Sequence, residues 1–170
     1  MLQYLDSSFF LSMILGDANT TQAREIWIQA GHRFSSLLLK VETLTVVRRV
    51  FARHQATLPE NWRETKEGEL RNLWESVHFR NLDQDIFNIL DTHASLSKCR
   101  SLDAIHLATA LELSQLGGPE DTLVVCSYDK NMIRLARELG LGVLPARERT
   151  IQDRGSGSAT GAGPARSKGA

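Results

Sequence analysis

Two patterns of apolar residues alternate along the chain. One is a short apolar run bounded by polar or turn residues; the other is a longer stretch with an apolar residue every third or fourth position. The first marks a strand buried on both faces, the second a helix with one face in a core. Leu2–Leu5 is a run of the first kind, and Asp6-Ser7-Ser8 behind it is a start signal for a helix over Phe9–Leu15. Thr20–Ala30 reads as a helix with Ala23, Ile26, Trp27 and Ala30 on one face, and Arg33–Ser36 as a short extended piece. A long helix is predicted over Leu38–His54, with Val41, Leu44, Val47 and Phe51 as its buried stripe.

Pro59 interrupts the chain, and Asn61–Glu75 resumes as a helix carrying Trp62, Leu70, Leu73 and Trp74. Val77–Arg80 is a weak strand, and Asp83–Ala94 is amphipathic through Ile86, Leu90 and His93. Ala104–Leu116 is apolar nearly all round, the signature of a central buried helix, and Gly117-Gly118-Pro119 stops it. Thr122–Ser127 is a buried strand, Asp129–Leu139 a helix closed by Gly140, and Gly142–Leu144 a last short strand. Strands separated by helices imply an α/β fold, a three-layer α/β/α sandwich around a short, mainly parallel central sheet.

Composition divides the chain in two. Residues 1–150 have the content of one globular domain. Residues 151–170 are rich in Gly, Ser and Ala with almost no large apolar residue, and are expected to be disordered because they have nothing to bury. The 20 basic and 20 acidic residues balance to zero net charge, which argues against coating nucleic acid by bulk charge but leaves room for a local basic rim. The N-terminal Met-Leu-Gln-Tyr-Leu-Asp lacks the basic region of a secretion signal, and no run of about 18 apolar residues is present. No membrane association and a cytoplasmic location are the expectation. Cys99 and Cys126 lack metal-ligand spacing and read as reduced core thiols.

Four acids then stand out. Open parallel sheets bind ligands at the carboxyl ends of their strands. Asp6 follows the first strand, Asp129 lies two residues beyond Ser127, Asp103 opens the central helix, and Glu42 lies one turn into the long helix. Each aspartate alone could be a helix cap. Glu42 could be solvated, yet it has Val at position 46 instead of a basic partner and sits in an apolar setting. Taken together, carboxylates converging without Arg or Lys repel one another and persist only if a cation neutralises them. All-oxygen ligands select Mg²⁺ or Mn²⁺. Such a cation can activate water against phosphorus and stabilise the leaving oxygen, which makes a phosphodiester the logical substrate.

The residues around these acids resemble the PIN-domain nucleases, in particular the VapC-type toxins of bacterial toxin–antitoxin pairs. The matching pieces are Tyr4-Leu5-Asp6-Ser7-Ser8, Leu39-Lys40-Val41-Glu42, the run Ser101-Leu102-Asp103-Ala104-Ile105-His106-Leu107-Ala108-Thr109-Ala110, and Ser127-Tyr128-Asp129-Lys130 with Leu139-Gly140-Leu141. They occur in family order over residues 1–145, and the run after Leu102 is the most specific. The resemblance implies RNA cleavage at a Mg²⁺ or Mn²⁺ site formed by Asp6, Glu42, Asp103 and Asp129, with Ser127 as a small polar neighbour. It further implies a homodimer restrained by a cognate antitoxin protein. Cys126 stands where a bulkier residue is expected, and the charged Pro59–Glu75 insertion departs from the pattern.

Other residues carry weaker signals. His106, one turn from Asp103, reads as a buried, hydrogen-bonded histidine or a support to the acids. Arg100 is a candidate phosphate contact, as are Lys98, Arg48, Arg49 and Arg53, although Arg48 and Arg53 could equally form a solvated face. Trp62 and Trp74 suit packing or a partner surface better than base stacking. Two other readings compete with a ribonuclease. One is a catalytically inactive PIN-like domain that binds RNA or protein; the other is a phosphotransferase with Asp6 as nucleophile, which would want a second acid where Ser8 stands.

Overall fold

The computed structural model describes residues 1–116 and 122–145. The Gly117-Gly118-Pro119 stop and the 151–170 tail lie outside the described residues.

The elements run β1 (Leu2–Leu5), α1 (Ser7–Leu15), α2 (Thr20–Ile28), β2 (His32–Ser36), α3 (Leu38–His54), α4 (Trp62–Trp74), β3 (His78–Arg80), α5 (Gln84–Thr92), a 3₁₀ turn (Ala94–Lys98), α6 (Ser101–Leu116), β4 (Leu123–Cys126), α7 (Lys130–Glu138) and β5 (Gly142–Leu144). The strands form one sheet in the order β3-β2-β1-β4-β5, and every neighbouring pair is parallel. The element types agree with the sequence expectation; the Ala94–Lys98 turn was not anticipated, and α6 starts three residues before Ala104. That earlier start changes the role of Asp103, as shown below.

Alternation along the strands separates two cores. Tyr4, Leu123 and Val125 join Ile86, Leu107, Ala108, Met132 and Leu135, so α5, α6 and α7 cover one face. Leu5 and Cys126 join Phe9, Phe10, Ala23, Leu39, Val47 and Leu70, so α1 to α4 cover the other. The result is the three-layer α/β/α sandwich. The apolar character of α6 is explained by burial of Ala104, His106, Leu107, Ala108, Thr109, Ala110 and Leu111. On α3 the expected stripe is only partly right. Val47 is buried, but Val41 is 60% exposed, and the interior positions of this helix are Leu39, Thr43 and Val47. Trp62 stacks on Phe51, and both tryptophans of α4 pack partly against the core. Both cysteines are free thiols, Cys126 buried and Cys99 half-buried.

The chain runs from β1 outward through β2 to β3, then returns through α5 and α6 to place β4 on the other side of β1. Connections therefore leave β1 and β4 in opposite directions. This opens a crevice at their carboxyl ends, where parallel sheets hold their ligands. Asp6 and Ser127 follow those ends directly.

Candidate functional site

The crevice is closed on its strand side by a serine clip. Asp6 caps α1 with extended backbone, and its Oδ2 accepts the Ser8 backbone N–H at 3.2 Å, the Ser8 hydroxyl, and the Ser127 hydroxyl at 2.8 Å. Ser8 Oγ in turn accepts Tyr128 N–H, and Ser127 Oγ accepts Asp129 N–H, both at 3.0 Å. The two hydroxyls thus tie the end of β1 to the loop after β4. Asp6 is only 4% exposed, and its Oδ1 makes no hydrogen bond among the described residues. Those three donors offset the cost of burying Oδ2.

Asp129 does cap a helix: its Oδ1 accepts Asn131 N–H at 2.7 Å and Met132 N–H at 2.9 Å at the start of α7. Asp103 does not. α6 begins at Ser101, so Asp103 stands inside its first turn instead of at the cap position, and its side chain makes no hydrogen bond among the described residues. Its carboxyl is pushed above the ordinary aspartate range, first by burial and then by the negative charges of Asp129 and Asp6. Arg100 and His106 oppose that rise more weakly. The structure therefore brings Asp6, Asp103 and Asp129 into one electrostatic neighbourhood, and Ser127 joins them through Asp6.

Glu42 is held differently. Its Oε2 meets His106 Nε2 at 2.7 Å, joining α3 to α6. His106 is 1% exposed, and its other ring nitrogen meets Tyr4 Oη at 2.8 Å. The expectation of a buried, satisfied histidine is met, with Glu42 as its partner. Arg100 is exposed, and Arg48 pairs with Glu67 at 2.9 Å while its side chain stays 57% exposed. Beside Asp129 lies an open hollow of about 610 Å³ lined by Tyr128, Asp129, Lys130, Asn131 and Arg134.

Among the described residues no group of three or more His, Cys, Asp or Glu side chains is arranged to hold a metal ion directly. The donor chemistry nevertheless fits a hard cation. The acids are oxygen donors, Asp103 is destabilised as an anion by burial and then by its acidic neighbours, and Asp6 Oδ1 makes no hydrogen bond among the described residues. Sequence reasoning missed two contributors, Ser8 and Tyr4. Tyr4 shares its strand face with Asp6 by two-residue alternation, the one local signal that could have found it.

The PIN domain family matches residues 3–138, and the chain belongs to that family, whose members are generally nucleases. Solved structures resemble it as well. One is a toxin–antitoxin complex from Klebsiella pneumoniae, at a TM-score of 0.54 and 19% identity, covering 77% of this chain and 89% of that one. No curated protein matches the chain. Among the described residues no helix is long and apolar enough to cross a membrane.

Proposed function

We propose that this protein is a divalent-metal-dependent endoribonuclease, the toxin component of a type II toxin–antitoxin pair. The observation that carries the reading is Asp103, a half-buried acid that caps nothing and whose carboxyl is raised by burial and then by two other acids of the crevice. A helix cap would not need that environment; a cation site would. Asp6, Asp103 and Asp129, with Glu42 at the edge, would hold Mg²⁺ or Mn²⁺. Such an ion supplies positive charge to phosphodiester oxygens and lowers the pKa of water. The chain's own contributions are distinct. Ser8 and Ser127 fix Asp6, the α7 backbone fixes Asp129, and the hollow with Tyr128, Lys130 and Arg134 offers an aromatic edge and cations to an RNA strand. Arg100 is a further phosphate contact.

The same reading includes a homodimer in the cytoplasm and an antitoxin that blocks the crevice. An antitoxin arginine suits this role, since its guanidinium can bridge carboxylates and replace the cation's charge. A second reading, a PIN domain that binds without cleaving, draws on Glu42 being tied to His106 and Asp129 to backbone N–H groups. Incubation of labelled RNAs with the protein in Mg²⁺, Mn²⁺ or EDTA separates the two. Cleavage with either ion and none in EDTA is expected. Cleavage that persists in EDTA would remove the metal, and binding without cleavage in both ions would favour the second reading.

A further inference from the structure

The loop after β4 sets one aromatic side chain beside the acids and holds it at three points. The Tyr128 backbone N–H donates to Ser8 Oγ at 3.0 Å. Its ring stacks on that of Phe9, with 5.8 Å between centroids and 14° between planes. Its hydroxyl stands 3.3 Å from both the Asn19 carbonyl and Gln22 Oε1, ahead of and within α2. Phe9 is fully buried and covers one face of the ring, whereas Tyr128 is half-buried and lines the hollow beside Asp129.

The far wall of the hollow is polar and cationic. Lys130, Asn131 and Arg134 line it from α7, and Lys130 and Arg134 are four residues apart, a spacing that puts both on one helix face. Lys130 is exposed, and Arg134 pairs with Glu138 while its side chain stays 48% exposed. A partly open aromatic ring next to two cations matches a nucleotide: the base stacks on the ring and the phosphates meet the positive charges. A ring already fixed by its backbone, one face and its hydroxyl loses little freedom when a base settles on it, so most of the contact energy is kept for binding.

We infer that Tyr128 is a substrate-binding residue: a base beside the scissile phosphate stacks on its ring, with the adjoining phosphates on Lys130 and Arg134. This inference rests on the RNA-cleavage reading above and adds to it the side chain that receives the base. Every base has a π-face, so Tyr128 requires a base at that position without choosing among bases.

The test uses the full chain, Mn²⁺ and a labelled RNA that it cleaves, intact and in a series with one abasic nucleotide at successive positions around the cut. With the wild type, kcat/KM should fall by about tenfold at one position beside the cut, within the usual worth of a base stacked on an aromatic side chain. Tyr128→Leu, which still covers Phe9, should cut intact RNA about tenfold less efficiently, mainly through KM, and should be indifferent to the abasic nucleotide at that position. Tyr128→Phe keeps the ring and should keep most of the wild-type response. Thermal melts establish that both variants are folded. A wild type equally active on every abasic RNA overturns the inference, whatever the variants do, and leaves the ribonuclease reading standing. A folded Tyr128→Leu that still responds to the abasic position as wild type does overturns it too, since another side chain then receives the base. A wild type that cleaves no RNA in Mg²⁺ or Mn²⁺ removes the ribonuclease reading and this inference with it.

Discussion

Glu67 on α4 accepts from Arg48 Nε and from Arg71 Nη2, each at 2.9 Å, whereas Asp103 on α6 faces Asp6 and Asp129. The Glu67 carboxyl is held below its ordinary range, first by the Arg48 hydrogen bond; the Asp103 carboxyl is pushed above its own, by burial and then by its acidic neighbours. Arg80 repeats the first arrangement at the far edge of the sheet. It grips Glu112 on α6 at 2.6 Å and Asp83 ahead of α5, and its guanidinium holds its proton more tightly for it. One molecule thus neutralises its acids with arginine around the Pro59–Glu75 insertion and at β3, and leaves them to repel at the crevice. Glu67, Asp83 and Glu112 each have a guanidinium partner. At Asp103 no such partner is present among the described residues, and a cation would be one physical means of relieving the repulsion.

The largest effect that could break this contrast is on catalysis. Asp103→Asn should lower RNA cleavage in Mg²⁺ by at least about two orders of magnitude, since a metal ligand's charge is lost. Without metal the same variant should melt no lower than wild type, because one of several repelling charges is gone. Mg²⁺ should then raise the wild-type midpoint more than the variant's. Paired thermal melts and one cleavage assay check this. Wild-type activity in the variant, or loss of activity through unfolding, would take Asp103 out of the site.

Glu67→Gln should do the reverse. It removes the charge between two arginines and should cost about 1–3 kcal/mol, the usual worth of charged hydrogen bonds, with the exposed arginines pulling the value toward the lower end. Melting should fall by a few degrees, with cleavage per folded molecule unchanged. A drop in activity at constant stability would mean that the insertion belongs to the site.

Acidification sharpens the comparison further. Glu67 has a depressed pKa in the folded state, so its contribution is present above the ordinary glutamate value of about 4.3 and is lost as pH falls below it. The melting gap between wild type and Glu67→Gln should therefore be full near neutrality and close in the acid range. Asp103 has a raised folded pKa, so its cost is felt at neutral pH and disappears as pH falls toward the ordinary aspartate value of about 3.9. The metal-free gap between wild type and Asp103→Asn should close from the opposite side. Melts of the three proteins from neutral pH downward check this, and gaps that moved in the same direction would overturn it.

The smallest expected effect is none. Deleting Gly155–Ala170 should leave cleavage unchanged and the melting temperature within about 2 °C, because that composition offers no apolar surface to bury. A larger drop would give the tail a structural role.

The kinds and order of the elements were legible in the sequence because apolar periodicity is local: runs such as Leu2–Leu5 and Leu123–Cys126 are too short for helices and are bounded by polar residues, which suits buried strands. For the same reason Asp6 and Asp129 could be placed at the strand ends, and the run from Ser101 to Ala110 identified with one family. What the sequence could not decide was the partner of each acid. The Glu42–His106 bond spans 64 positions, the Ser127–Asp6 bond 121 and the Tyr4–His106 bond 102. Those pairings depend on strand order and helix packing, which no local pattern encodes. Val41 failed as a core residue for a related reason, since periodicity gives the faces of α3 but packing decides which one is covered. Whether Asp103 was a cap or a free acid turned on α6 beginning at Ser101, and only the folded backbone, with its hydrogen bonds formed, fixes where a helix starts.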